Sequence, residues 1–176
     1  MLTMYRFRSK ADLRPRSGYA TRSDFCESLA HDAQPLYLLA FLLTGSHPDA
    51  EQCFIATVED ALRAIDVLKG WESSWSKRCL IVNAVRCVFP GPTESMRKPH
   101  GRSGVVESGA RCTINSVARL SPPIQRFVFV ISVLERYSEH ECALLLGLSL
   151  RDVAEARIHA LWQLSGVGSA FPRAVG

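Results

Sequence analysis

Hydrophobic residues recur three or four positions apart in two separate blocks of this chain. In the first block, residues 23–89, they include Phe25, Leu29, Ala33, Phe54, Val58, Ala61, Ile65 and Leu68. In the second block, residues 121–166, they include Ile124, Phe127, Val128, Ile131 and Leu134. This spacing places apolar side chains on one face of a helix, whereas the alternation typical of a strand is absent. The pattern predicts an all-α fold with two small helical domains.

Polar and helix-breaking residues predict the ends of the first helices. Ser23 is expected to cap the first helix, and Pro35 is expected to break or kink it near Gln34. Residues 36–43 then form a strongly apolar helix that ends at Gly45.

Pro48 and the acidic residues after it mark the start of another helix. Proline fits the first helical turn, and Asp49 and Glu51 suit the positive end of the helix. This helix is expected to run to about Lys69, and a further helix is expected over residues 75–88. Short turns between helices are typical of a bundle.

The second block contains two helix-capping patterns that lie close together. Ser138 with Glu141 matches a capping box, in which the serine hydroxyl and the glutamate satisfy backbone N–H groups reciprocally. Ser149 with Asp152 repeats this pattern eleven residues later. The spacing predicts a short helix, a tight turn and a second helix, preceded by a helix that opens at residues 121–123.

The turn between these caps has small and flexible residues where its geometry requires them. Ala143 is small where the helices approach, Gly147 accepts a left-handed backbone, and Val153 packs from the second helix. With Leu146 and Leu148 as flanking core residues, the pattern predicts a helix-turn-helix. The alternative is two core helices joined by an ordinary turn.

The net charge of +4 is distributed unevenly along the chain. Residues 1–23 hold six basic residues against one acidic residue, and residues 90–120 hold five against two. Residues 24–89 hold five against nine, and residues 121–164 hold four against five. The excess positive charge therefore lies outside the predicted domains. The segments outside them are expected to be a disordered basic arm over residues 1–22, a flexible linker over residues 90–120 and a flexible tail over residues 167–176.

Cysteine, histidine and hydropathy patterns give no sign of a metal site or a membrane anchor. The six cysteines form no C-x-x-C pair, and no histidine lies at ligand spacing from them. Reduced cysteines are expected, with Cys53, Cys79 and Cys142 on buried helix faces, and no cofactor is expected. The longest apolar stretches are too short to cross a bilayer, and the basic start of the chain lacks the apolar run of a signal peptide. We therefore expect a cytoplasmic protein without membrane insertion.

The motifs of both blocks resemble those of one protein family. Residues 122–130, PPIQRFVFV, are similar to the Pro-Pro-x-Gln-Arg-x-Val-Phe helix that opens region 4 of the extracytoplasmic-function (ECF) sigma factors of bacterial RNA polymerase. Residues 137–149 are similar to the Leu-Ser-x-x-Glu-Ile-Ala and Leu-Gly-Ile-Ser motifs of that region. Residues 36–51 resemble the region 2 run with Leu-Tyr, Leu-Thr-Gly and Asp-Ala-Glu, and residues 75–78 resemble its Trp-Leu-x-Arg helix.

The resemblance implies a transcription initiation protein that performs no covalent chemistry. Region 2 would bind core RNA polymerase and open promoter DNA, while region 4 would place the second helix of its helix-turn-helix in the major groove. The candidate DNA-binding residues are Arg151, Asp152, Glu155 and His159 on the polar face of that helix, with Lys77 and Arg78 from region 2. The candidate polymerase-binding residues are Asp49, Glu51 and Gln52. The candidate partners are core RNA polymerase, promoter DNA and an anti-sigma protein.

The chain departs from the usual basic sequence of the family at its DNA-facing helices. Residues 153–157, VAEAR, stand where the family usually has Val-Lys-Ser-Arg-Leu, and residues 88–90 stand in place of an arginine-rich tract. Arg157 projects among apolar side chains, so it is expected to act as a partly buried stem or in a salt bridge. Residues 55–56, Ile-Ala, stand where polar residues usually help to bind polymerase. Because duplex affinity comes largely from Lys and Arg, residues 121–164 are expected to bind DNA weakly without polymerase.

Three functions fit these residues. The first is an ECF-like sigma factor, and the second is a divergent relative that has lost promoter binding and regulates through protein contacts, such as with an anti-sigma partner. The third is a stand-alone helix-turn-helix repressor. An enzyme is the least supported class, since no nucleophile–base pair, phosphate loop or carboxylate dyad is evident. For Arg151 and His159, and for the acids at residues 49 and 51, an ordinary solvated surface role is the alternative.

Overall fold

The computed structural model describes residues 18–64, 66–90 and 114–165. Within these residues all the regular elements are helices, which confirms the predicted all-α fold. The predicted basic arm, most of the predicted linker and the predicted tail lie outside the described residues, apart from a few positions at their edges. The helices are α1 (Arg22–Thr44), α2 (His47–Arg63), α3 (Glu72–Val88), α4 (Ile114–Ala118), α5 (Pro123–Phe129) continued by a π-helical segment (Val130–Leu134), α6 (Glu139–Leu146) and α7 (Leu150–Ser165).

Helix α1 begins with a capping box between Thr21 and Asp24. The Asp24 backbone N–H donates to the Thr21 hydroxyl at 3.3 Å, and the Thr21 backbone N–H donates to the Asp24 carboxylate at 2.7 Å. The prediction that Ser23 caps this helix is therefore wrong by two residues. Asp24 decides the position, because the acid must lie three residues after the capping residue to reach its N–H.

Helix α1 also continues through Pro35, so the predicted break there is wrong. Proline leaves the carbonyl four residues earlier, that of His31, without an N–H partner in the helix. Both Pro35 and His31 lie on the exposed side of α1, where water can satisfy such a carbonyl. On the opposite face, Leu36 and Leu39 are buried in the core and hold the helix in place across the proline.

The predicted end of α1 and start of α2 are confirmed. Gly45 caps α1 in the left-handed region with φ 73°, and Pro48 lies in the first turn of α2. Helix α2 ends at Arg63, however, and not near Lys69 as predicted.

The early end of α2 follows from hydrogen bonds that the next segment makes elsewhere. The backbone N–H of Ala20 donates to the carbonyl of Val67 at 2.8 Å, and the N–H of Lys69 donates to the carbonyl of Gly18 at 3.0 Å. Val67 is also buried in the core. Because these groups pair with the chain before α1, they are not available to extend α2, and α3 begins at Glu72, three residues before the predicted start.

The two predicted blocks pack on one shared core in this structure. Helices α1, α2 and α3 pack against one another, α5 packs on α7, and α1 also packs on α4 and α5. The rings of Phe89 and Phe127 lie 5.4 Å apart across the two blocks. Helix α4 lies within the predicted linker, and Val117 and Leu120 from this part of the chain are buried in the core. The division into two domains stays a prediction.

Arg126 connects the two blocks through backbone carbonyls. Its guanidinium donates to the carbonyls of Leu43, Thr44 and Ala118, each at 2.9 Å. The side chain is buried, and burial lowers the pKa of Arg126 to about 10. The last carbonyls of a helix have no N–H partner within it, so Arg126 satisfies groups at the ends of both α1 and α4. A Cβ atom on Gly45 would lie 2.6 Å from the Arg126 guanidinium, which requires glycine there.

The described cysteines are free thiols. Cys53 and Cys142 are buried as predicted, whereas Cys79 is only partly buried and Cys112 lies outside the described residues. Burial raises the pKa of Cys53 and of Cys79 to about 12, and that of Cys142 to about 11. Among the helices of the described residues, none combines the length and the apolar character that a bilayer crossing requires.

Candidate functional site: the α6–α7 corner

The α6–α7 corner (residues 138–165) begins with the predicted capping box. The Ser138 hydroxyl accepts from the Glu141 backbone N–H at 3.2 Å, and the Ser138 N–H donates to the Glu141 carboxylate at 2.9 Å. These bonds hold the pKa of Glu141 below its ordinary value. Helix α6 ends at Gly147, which has a φ of 64° in the left-handed region, as its position in the sequence predicts.

The turn into α7 is closed by short-range hydrogen bonds. The backbone N–H of Leu148 donates to the carbonyl of Ala143 at 3.0 Å. The Ser149 hydroxyl accepts from the Asp152 N–H at 3.1 Å, and the Ser149 N–H donates to the Asp152 carboxylate at 3.3 Å. The second predicted cap is therefore present, and the chain turns between two helices within three residues.

The inner face of α7 fixes the helix against the rest of the second block. Val153, Ala156 and Ala160 are buried, and two of the three are alanines that let neighbouring helices approach closely. The Gln163 amide donates to the carbonyl of Ser121 and to the Gln125 side chain, each at 2.7 Å. This packing leaves the opposite side of α7 facing solvent.

The α7 outer face comprises Arg151, Ala154, Glu155, Ile158, Leu161 and Trp162. Arg151 and Glu155 form an ion pair along the helix, with Nε 2.8 Å from Oε1 and side chains 86% and 54% exposed. The hydrogen bond to Glu155 raises the pKa of Arg151. His159 beside this face is exposed, and Asp152 is partly exposed while it caps the helix. Three of the four predicted DNA-binding residues on α7 are thus exposed, but their charges nearly cancel.

The same face also exposes large apolar side chains that the sequence reasoning did not single out. Ile158, Leu161 and Trp162 are 47%, 45% and 61% exposed. The edge of the His159 ring meets the Trp162 ring, with centroids 5.9 Å apart and planes at 75°. Projecting every apolar residue of α7 around the helix would have found this group, because its members lie away from the stripe formed by residues 153, 156 and 160.

Arg157 links the two helices of the corner. Its Nη2 lies 2.7 Å from Oε1 of Glu139, and the Arg157 side chain is 38% exposed. Of the two roles expected for Arg157, a partly buried stem or a salt bridge, the structure shows the salt bridge. This side chain points towards α6 and does not belong to the α7 outer face.

Lys77 and Arg78 both lie close to acidic side chains of the second block. Lys77 Nζ lies 2.9 Å from Oε2 of Glu135, and this bond raises the pKa of Lys77. Arg78 is exposed, and after the hydrogen bonds from Ser138 its positive charge also lowers the pKa of Glu141. In this structure Lys77 is paired with a carboxylate, so one of the two predicted region 2 contacts to DNA is already engaged.

The predicted polymerase-binding residues lie together on the first turns of α2. Glu51 and Gln52 are exposed, and Asp49 is partly exposed. After burial, the negative charge of Asp49 is the second cause that raises the pKa of Cys87 on α3. Ile55, one turn further on, is 51% exposed, so this surface carries an apolar side chain next to its acids.

Comparison of the chain with models of protein families, with curated proteins and with solved structures gives no match. In the part of the chain that the structure describes, no group of three or more His, Cys, Asp or Glu side chains is arranged to hold a metal ion. What the chain does must therefore be inferred from its own residues and their geometry.

Proposed function

We propose that this chain is a sigma factor-like transcription initiation protein, which brings bacterial RNA polymerase to promoters through a helix-turn-helix formed by the α6–α7 corner. The observation that supports this function best is the corner itself. It has two capped helices joined at a left-handed Gly147, and the N-terminal half of the second helix is open to solvent on one side. In helix-turn-helix proteins the first residues of the second helix contact base edges in the major groove.

The beginning of α7 offers both side chains and backbone dipoles to a duplex. Arg151 is 86% exposed in the first turn, where the positive end of the helix dipole also lies. Arginine at such a position can read guanine through two hydrogen bonds or bind a phosphate. Glu155 is one turn away and can accept from cytosine. In this proposal Arg151 exchanges its bond to Glu155 for a bond to DNA.

The charge of the second block makes polymerase necessary for this role. Residues 121–164 hold four basic residues against five acidic residues, so the second block does not attract phosphates strongly. A polymerase that already holds the DNA would supply most of the affinity, and α7 would then choose the sequence. The exposed residues Glu51 and Gln52, with Asp49, are the proposed contacts to the polymerase.

Transcription with purified components tests this function. The full chain is mixed with core RNA polymerase and a promoter library, and start sites are mapped; association with polymerase and selective initiation are expected. Arg151→Glu should abolish selective initiation. Arg63→Glu is the matched control, because Arg63 also forms an exposed i,i+4 ion pair, with Glu59 at 3.1 Å. Absence of any complex with core polymerase would exclude the proposal.

A second candidate is a divergent relative that keeps these helices and regulates through protein contacts without promoter binding. The apolar part of the α7 outer face favours it, since Ile158, Leu161 and Trp162 are poorly suited to phosphates. Under this function Arg151→Glu leaves binding of the protein partner unchanged, whereas Trp162→Glu abolishes that binding. The proposed partner is an anti-sigma protein. Its affinity for Arg151→Glu and for Trp162→Glu, measured by titration with the purified anti-sigma protein, separates the two functions.

A further inference from the structure

An acidic groove lies between the first half of α1 and the start of α3. It has a volume of about 390 Å³, and four carboxylates and one lysine line it, those of Asp24, Glu27, Asp32, Glu72 and Lys69. The lysine already pairs with Asp24, with Nζ 3.3 Å from Oδ1. The groove therefore has an excess of negative charge that a cationic group could neutralise.

Glu72 is buried although it lines this groove. It is only 8% exposed, and its Oε1 accepts from the Gly70 backbone N–H at 3.0 Å. Among the described residues its second carboxylate oxygen accepts no hydrogen bond. A buried carboxylate is stabilised when both of its oxygens have partners. The groove thus has an acceptor for a cationic hydrogen-bond donor from outside the described residues.

The chain before α1 enters at the edge of the same groove. Tyr19 and Leu68 form an antiparallel bridge, and the Lys69 backbone N–H donates to the Gly18 carbonyl at 3.0 Å. In an antiparallel pair the residues before Gly18 run alongside the residues after Lys69. The latter include Glu72, which lines the groove. The path of the chain therefore directs the residues before Gly18 towards the acids.

We propose that this groove is the binding site of the chain's own N-terminal segment, residues 1–17, and that Arg14 and Arg16 form salt bridges with its carboxylates. The segment lies outside the described residues, and it holds five basic residues against one acidic residue. The inference does not depend on the proposed function, because it uses only the charge of the groove and the path of the chain.

The groove is within reach of both arginines. An extended chain advances about 3.3 Å per residue, so the Cα atoms of Arg16 and Arg14 can lie up to about 7 and 13 Å from that of Gly18. The acids that α1 contributes, from Asp24 to Asp32, span about 12 Å along the helix. Guanidinium groups bind carboxylates through two parallel hydrogen bonds, which suits arginine to this groove.

A tethered segment fits the groove better than a separate molecule does. Because only a few residues join Arg14 and Arg16 to Gly18, their effective concentration at the groove is on the order of millimolar. Contacts in an exposed groove are individually weak, so this advantage decides the occupant. A nucleic acid would be repelled by the same carboxylates. In the docked state the two arginines are neutralised, and a polyanion has to compete with the groove for them.

NMR spectroscopy of the isotope-labelled full chain tests the proposal. The backbone amides of Arg14 and Arg16 are expected to show heteronuclear NOE values close to those of the helices. Ser28, which is partly exposed and lines the groove, allows two variants of similar size and opposite charge. Ser28→Lys should lower the ratio of docked to free segment about fivefold, whereas Ser28→Glu should raise it. Circular dichroism verifies that both variants keep their helices.

A double variant of the segment itself, Arg14→Glu with Arg16→Glu, changes no residue of a helix and should release the segment. A natural chain whose amides at positions 14 and 16 show the low NOE values of a free segment overturns the proposal. So does a double variant that stays docked. Equal release by Ser28→Glu and Ser28→Lys would show that charge is not the cause. Release on dilution would place the segment in the groove of a second copy, which also contradicts the proposal.

Discussion

Arg157 on α7 and Glu139 on α6 form an ion pair, with Nη2 of the arginine 2.7 Å from Oε1 of the glutamate. The two side chains are 38% and 41% exposed, so water screens part of their attraction. The pair joins the first turn of α6 to the middle of α7. It therefore acts together with the turn at Gly147 to hold the two helices of the corner at a fixed angle.

A double-mutant cycle measures the strength of this pair. Arg157→Ala, Glu139→Ala and the double variant are expected to give a coupling free energy of about 0.5–1 kcal/mol in urea unfolding. The coupling should decrease at high salt, because exposed charges are screened. The Arg63–Glu59 pair on α2 provides a comparison within one helix, with a distance of 3.1 Å. A coupling that does not change with salt would contradict the partly exposed geometry.

Substitution of Gly45 should be more costly than substitution of Gly70, which also has a positive φ. In Gly45→Ala the new Cβ would lie 2.7 Å from the Ala118 carbonyl oxygen, in addition to the backbone strain at φ 73°. We expect a loss of about 3 kcal/mol in the free energy of unfolding.

Gly70→Ala is the control for this substitution. Gly70 has a φ of 90°, but a Cβ there would meet nothing within 4 Å, so only the strain of about 1 kcal/mol is expected. The difference between the two variants measures the close contact around Arg126. Equal losses would show that this contact is not tight in solution.

The capping box of α6 should make stability depend on pH in the acid range. The hydrogen bonds from Ser138 hold the pKa of Glu141 below its ordinary value. The ionised carboxylate therefore contributes stability above its unfolded-state pKa, and this contribution is lost as the pH falls through the lowered folded-state pKa.

Urea unfolding at neutral pH and below about pH 4 tests this dependence. Glu141→Gln should be less stable than the natural chain at neutral pH, and the difference should shrink in acid. Ser138→Ala should cost about 1 kcal/mol at neutral pH. Glu27→Gln, at an exposed glutamate of α1, is the control. A difference between Glu141→Gln and the natural chain that persists in acid would contradict the argument.

The buried thiols should resist alkylation in the folded protein. Burial raises the pKa of Cys53 to about 12 and that of Cys142 to about 11, so the reactive thiolate is scarce at neutral pH. Among the described cysteines Cys26 is exposed and should react first. Mass spectrometry after a short treatment with iodoacetamide measures the order, and urea should abolish the difference. Rapid labelling of Cys142 in the native protein would show that the corner opens readily.

Local patterns predicted much of the corner. The caps at Ser138 and Ser149 and the left-handed Gly147 depend on residues within three or four positions, so the sequence alone is sufficient to place them. The end of α2 at Arg63 could not be predicted in this way. It depends on hydrogen bonds that join Val67 to Ala20 and Lys69 to Gly18, which are distant in the chain.

The properties of the candidate site were harder to predict than its helices. Helical projection placed Arg151 and Glu155 on the outer side of α7, and both are exposed. The pairing of Lys77 with Glu135 joins residues 58 positions apart, and no periodic pattern encodes such a contact. The apolar part of the α7 outer face could have been predicted from the sequence, because Ile158, Leu161 and Trp162 lie away from the buried stripe of the helix.

The partners of Arg126 predict an order of folding. Its guanidinium bonds the carbonyl of Thr44, which lies 82 positions earlier, so a long loop must close before this bond can form. During synthesis the residues of α1, α2 and α3 leave the ribosome first and can associate while the carbonyls at the end of α1 are still hydrated. Arg126 would then displace that water in a late step. Loss of its guanidinium should accelerate unfolding far more than it slows folding.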